Sequence, residues 1–141
     1  VSDARATPEM YSLSLPDALP IFGKVAEGPS ILKRDGLYYL LYSANDFRSQ
    51  DYAVGYATSD SPFGPWKKNS KNPLLHRVDE LVGTGHGAPF ADKDGNLRYI
   101  FHAHKSQTEV NQRNSYIVDM SLSGKDQVSI GGGLIRPAVV K

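Results

Sequence analysis

Residues 27–43 read EGPSILKRDGLYYLLYS, and the fold follows from them. Asp35-Gly36 is a strong hairpin signal, because both residues tolerate the left-handed backbone of a two-residue turn. Residues 28–32 before it read as a short strand. Residues 37–43 after it (LYYLLYS) are almost continuously apolar, as expected of a strand buried on both faces. Further on, residues 52–59 (YAVGYATS) supply a third strand. The cluster DSPFGP at 60–65 turns the chain, and Trp66-Lys67-Lys68 begins a short fourth strand. Residues 69–73 close the unit with loop chemistry.

The pattern then restarts. Residues 87–91 lead into Asp92-Lys93-Asp94-Gly95, a second Asp-Gly turn. Residues 97–103 (LRYIFHA), 115–122 (SYIVDMSL) and 127–130 follow as second, third and fourth strands, and Gly131-Gly132-Gly133 ends the last. Glu27 stands eight residues before Asp35, and His86 stands eight before Asp94. The offset from Asp35 to Asp94 is 59 residues, and it equates Glu27 with His86. Four-stranded units repeating at such a period point to β-propeller blades. The innermost strand of a blade lines the central channel, so both residues would face the axis. Two chance hairpins in an ordinary sandwich would share the turns, but not the equal spacing and the matching third strands. The expectation is an all-β chain forming a partial propeller: about two four-stranded blades plus the start of a further strand.

The rest of the chain sets bounds. Thirteen Gly, nine Pro, eight Tyr and five Phe in 141 residues suit strands and turns better than helices. Sixteen Lys and Arg against fifteen Asp and Glu leave a net charge of +1, which is no electrostatic footprint for nucleic acid or an anionic membrane. No Cys is present, so disulfides, thiolate metal sites and Cys nucleophiles are excluded. No apolar run approaches the roughly 20 residues of a spanning helix. Nor does a basic start with an apolar core mark a signal peptide in the first 30 residues. Residues 1–21 contain three Pro and no sustained period. Their YSLSLPDALPI resembles the peptide read from translated sequencing-adapter DNA. They are expected to be an irregular or artefactual segment, with residues 22–141 forming the domain; a natural N-terminal extension is the alternative.

Glu27-Gly28-Pro29, the run from Asp35 to Ser43, residues 52–59 followed by Ser61-Pro62-Phe63-Gly64-Pro65-Trp66, and Gly83-Thr84-Gly85-His86-Gly87 together resemble glycoside hydrolase family 43. The resemblance implies a five-bladed propeller that hydrolyses xylose- or arabinose-containing plant oligosaccharides or polysaccharides. It implies inversion, in which one protonated carboxyl serves as acid and a second carboxylate activates water. The Glu of Glu-Gly-Pro would be the general acid, here Glu27. The base, an Asp of the first blade, and a tuning Asp of the second would both lie upstream of Glu27. Asp3 and Asp17 stand in no such motif. The chain alone is therefore expected to be inactive.

The resemblance also makes His86 the axial histidine, touching substrate or a metal, often calcium; a core histidine bonded to backbone is the alternative. Gly85 and Gly87 leave room beside it. Calcium prefers oxygen ligands, so one imidazole does not make a site. Family members that act on polymers are often exported to the periplasm or secreted, but the sequence itself assigns no localisation. Three further residues are candidate substrate contacts. Phe47 lies with Asn45 and Asp46 in the loop after the second strand. His102 sits on the strand following that of His86, and Arg113 precedes the third strand of the second unit. His102 and His104 share a strand face but lack a third zinc ligand at a familiar spacing. Asp92-x-Asp94-Gly95 reads as a turn rather than a calcium loop. Tyr38, Tyr39, Tyr42, Tyr56 and Trp66 read as packing. A non-catalytic carbohydrate-binding or scaffold propeller is the alternative to an enzyme.

Overall fold

The computed structural model describes residues 26–138. The segment 1–21 lies outside the described residues. Eight strands form: β1 (Ala26–Arg34), β2 (Leu37–Ala44), β3 (Ala53–Ser59), β4 (Lys67–Lys68), β5 (Gly85–Ala91), β6 (Leu97–Ala103), β7 (Asn114–Leu122) and β8 (Val128–Ile130). They make two antiparallel four-stranded sheets, ordered β1-β2-β3-β4 and β5-β6-β7-β8. Each sheet is a meander of neighbouring strands, which is the topology of a propeller blade. No helix occurs among the described residues. Past Gly131, Gly132 and Gly133, all at positive φ, the chain meets β7 once more at Ile135.

The two sheets share one apolar core. Leu37, Tyr39 and Leu41 of β2 and Val54 and Tyr56 of β3 pack against Tyr99, Phe101, Tyr116, Val118 and Met120 of the second sheet. The alternate residues of β2, Leu40, Tyr42 and Ala44, bury a smaller cluster on the opposite face with Ala57 and Trp66. This explains the continuous apolar character of LYYLLYS: the period of 2 is present, but both faces are covered. Between the sheets, Arg34 donates to the Leu122 carbonyl at 2.8 Å and Tyr56 donates to that of Asp126 at 3.1 Å.

The link between the sheets is tied to the first blade by one buried side chain. Asn72 accepts from the Tyr56 amide at 3.0 Å, and its amide nitrogen lies 2.9 Å from the Tyr56 carbonyl and 3.3 Å from the Tyr42 hydroxyl. Beside it, Val54 exchanges backbone hydrogen bonds with Leu74 and Leu75. Asn72→Ala strands a buried backbone amide and carbonyl, which costs about 1–3 kcal/mol apiece when unpaired. The variant is expected to melt lower than the parent chain by thermal unfolding.

The two Asp-Gly turns differ, and this corrects the sequence register. Asp35 and Gly36, at φ 49° and 81°, form a two-residue turn between Arg34 and Leu37. The second hairpin instead spans Asp92 to Asn96, closed by the Asp92 amide donating to the Asn96 carbonyl at 2.9 Å. Asp92 there accepts from the amides of Asp94 and Asn96 and from Arg98, whose bond holds its carboxyl down to about 2. Five paired residues separate bulge from turn in β1, and only four do in β5. Counting from the turns therefore overshoots by one. The β-bulges themselves align Gly28 with His86, and Glu27 with Gly85.

Candidate active site

The site begins at these two bulges. A bulge places two residues opposite one and re-aims the side chains around it. Gly28 and His86 occupy the same place in their strands with nearly the same left-handed backbone, φ 58° and 51°. A Cβ on Gly28 would stand 3.3 Å from the His86 Cα, so the missing side chain is what lets β1 approach β5. Glu27, just before one bulge, and His86, within the other, thereby meet from different positions. His86 Nδ1 lies 4.0 Å from Glu27 Oε2, and the two side chains are 53% and 35% exposed.

Behind them stands Tyr52, fully buried at the entry to β3. Its hydroxyl donates to Glu27 Oε1 at 2.9 Å and lies 3.4 Å from His86 Nδ1. Burial first, then the neighbouring Glu27, push this phenol far above the ordinary tyrosine range, so it stays a proton donor. Ser43, also fully buried, accepts the His86 backbone N–H at 2.7 Å and lies beside the Tyr52 hydroxyl. Gly85 makes this fit: a Cβ there would lie 2.3 Å from the Tyr52 ring.

His102 extends the cluster outward. Its ring stacks on Tyr52 at 5.7 Å between centroids and on His86 at 6.0 Å. Arg113 donates to His102 Nε2 at 3.2 Å and places its guanidinium 4.9 Å from the centre of the Phe47 ring. Phe47 is 39% exposed. Its loop is fixed by its own carbonyl, bonded to His104 Nε2 at 2.8 Å, and by the Asp46–Arg48 ion pair at 2.6 Å. Glu27, His86, His102, Arg113 and Phe47 thus form one line of contacts. Next to it lies a hollow of about 380 Å³ bordered by Gly28, Ser30, His86, Ile100, His102 and Ser115. His104, on the strand face proposed for His102, instead turns into the protein and packs against Gly83.

Burial first, and then the neighbouring Arg113 guanidinium, lower the His102 imidazole to about 4. The unfolded chain binds a proton near 6.5, so between about 6.5 and 4 the unfolded state takes up more protons than the folded one. The stability that neutral His102 contributes is complete above 6.5 and is lost as pH falls toward 4. Thermal unfolding from pH 7 to 4 is expected to show a steeper decline for the parent chain than for His102→Gln.

Two residues of this cluster, Tyr52 and Ser43, were not singled out in the sequence. Among the described residues no three His, Asp or Glu side chains converge on a metal position. Around His86 stand one carboxylate, one phenol and one imidazole, short of the 6–8 oxygens that calcium takes. What the geometry offers is a carboxyl with one oxygen fixed by a phenol and the other free of that bond. Such a group can give or take a proton, next to a histidine that borders the hollow.

Comparison with known proteins agrees in outline. The family model of glycosyl hydrolases family 43 matches residues 7–125. Xylosidase/arabinosidase 43A of Humicola insolens is 28% identical over 127 residues, 87% of this chain and 36% of that protein. Beta-D-galactofuranosidase xynD of Aspergillus niger is 34% identical over 76 residues, 54% of this chain and 22% of that one. Among solved structures, an endo-1,4-beta-xylanase from Bacteroides thetaiotaomicron superimposes with a TM-score of 0.82 at 57% identity, covering 86% of this chain and 43% of that one. A thermostable family-43 glycoside hydrolase gives 0.71 at 34% identity, covering 82% and 38%. The chain spans less than half the length of each of these relatives.

Proposed function

This chain belongs to glycosyl hydrolases family 43, and from that premise we propose that Glu27 is the general acid of an inverting glycosidase acting on xylose- or arabinose-containing plant glycans. The observation that carries the reading is the Glu27 carboxyl held on Oε1 by Tyr52 and flanked by His86. In the reaction Glu27 gives its proton to the glycosidic oxygen. That oxygen leaves with the electron pair of the broken C–O bond, while water attacks the anomeric carbon from the opposite face. The proton of the water goes to a second carboxylate, which the described residues do not supply at this cluster. His86, His102, Arg113 and Phe47 are proposed to line the path of the sugar: the imidazoles and guanidinium toward hydroxyls, and the Phe47 ring toward a sugar face. A calcium ion beside His86 would take the imidazole and draw most of its oxygens from water or from outside the described residues. No step depends on it.

The 141-residue chain is expected not to hydrolyse aryl xylosides or arabinosides. The longer enzyme that contains it is expected to release sugar with inverted anomeric configuration, followed by proton NMR of the fresh product. Turnover by the 141-residue chain, abolished in Glu27→Gln, would overturn the view that a second carboxylate must come from elsewhere. Retained configuration would overturn the single-displacement step. Glycan binding by the longer protein without hydrolysis would instead favour a scaffold propeller.

A further inference from the structure

The acid carboxyl is reached by a chain of hydrogen bonds that begins in the other blade, and its direction can be read. The His86 backbone N–H can only donate, so Ser43 Oγ must accept it, at 2.7 Å. The hydrogen of Ser43 is then free to turn toward the Tyr52 hydroxyl beside it. Tyr52 has one hydroxyl hydrogen, and the nearer acceptor is Glu27 Oε1 at 2.9 Å rather than His86 Nδ1 at 3.4 Å. The Tyr52 hydrogen therefore points toward Glu27, and the His86 N–H fixes the Ser43 hydroxyl behind it. Ser43 and Tyr52 are fully buried, so water does not compete for either bond.

From this we infer that Tyr52 and Ser43 are positioning residues for the acid: they keep Glu27 Oε1 a permanent acceptor and make Oε2 the oxygen that carries and delivers the proton. The inference rests on the reading of Glu27 given above. In the step, the Oε2–H bond breaks and the proton passes to the departing glycosidic oxygen. Glu27 is left as a carboxylate still bonded to Tyr52 through Oε1, and the phenol is not consumed. Without the phenol the carboxyl is free to rotate, and the proton spends time on the wrong oxygen or out of line. Because the first donor is an amide of β5, the aim of an acid mounted on β1 depends on how the two blades dock.

The test uses the longer enzyme carrying these blades, as parent, Tyr52→Phe, Ser43→Ala and Glu27→Gln. Each is assayed on a glycoside with a sugar leaving group and on the 2,4-dinitrophenyl glycoside of the same sugar, whose leaving group needs no proton. Tyr52→Phe is expected to lower kcat on the first substrate about 10- to 100-fold, with KM changed less than about threefold, and to spare the second substrate. Ser43→Ala is expected to show the same split at several-fold size, and it decides the matter where Tyr52→Phe fails to fold. Equal loss on both substrates, or no loss on either, overturns the inference. The Glu27→Gln arm keeps the two ideas apart. Full activity of that variant on the sugar leaving group removes the acid assignment itself. Its inactivity alongside parent-like Tyr52→Phe and Ser43→Ala removes only the positioning role.

Discussion

Glu27→Gln in the longer enzyme is expected to lower turnover of glycosides with sugar leaving groups by about 10²- to 10⁴-fold, the range that general acid catalysis supplies. The substitution is close to isosteric. Its amide oxygen can still accept from the Tyr52 hydroxyl, which donates to Oε1 at 2.9 Å in the parent. What is lost is the proton on the other arm. Aryl glycosides should therefore lose less as the leaving phenol becomes more acidic, and the dependence of kcat on leaving-group acidity should steepen. A uniform loss across the series would show that the variant fails by misfolding or by weaker binding.

The largest effect on stability is expected from Gly87→Ala. A Cβ at this bulge position would lie 2.3 Å from the Ile100 carbonyl oxygen and 2.5 Å from the Tyr99 ring. Neither neighbour can yield. Ile100 is paired with Ala88 across the β5–β6 ladder, and Tyr99 is buried in the shared core with only 1% of its surface exposed. Relief requires opening the innermost strand pair of the blade. The expected cost is about 3 kcal/mol or more, or roughly 10 °C or more in Tm. Gly36→Ala is the matched control. Nothing lies within 4 Å of its Cβ position, so only the left-handed backbone at φ 81° is strained. It should cost about 1–2 kcal/mol. If Gly87→Ala melts no lower than Gly36→Ala, the crowding at the bulge is not what fixes this strand.

Much of the architecture was legible because it rests on local chemistry. LYYLLYS and LRYIFHA form β2 and β6, YAVGYATS contains β3, and the Gly and Pro clusters fall between strands. That Glu27 and His86 meet was legible through motif rather than periodicity, since each stands next to a glycine. The register between the blades was not. Asp-Gly ends a two-residue turn in one hairpin and lies inside a five-residue turn in the other, and a dipeptide does not say which. Tyr52 was hidden for a different reason: at the head of an apolar strand a tyrosine reads as packing. Its hydroxyl was the available signal, because a buried phenol needs a partner. Naming that partner needs distances between residues 25 apart in sequence, and for Ser43 and His86 43 apart.

The aligned bulges have a consequence for how such a site can change. Both blades carry the same backbone socket at the bulge of their first strand, with a left-handed residue at its centre. In β1 that residue is a glycine, and the neighbour before it presents a carboxyl. In β5 the left-handed residue is the histidine itself, and the neighbour before it is a glycine that clears space for a ring. The mount is common, but the two occupants are not exchangeable in place. A Cβ on Gly28 would stand 3.3 Å from the His86 Cα, and one on Gly85 would stand 2.3 Å from the Tyr52 ring. Each blade's glycine thus clears space for the other blade's functional side chain, which binds the two sockets into one unit.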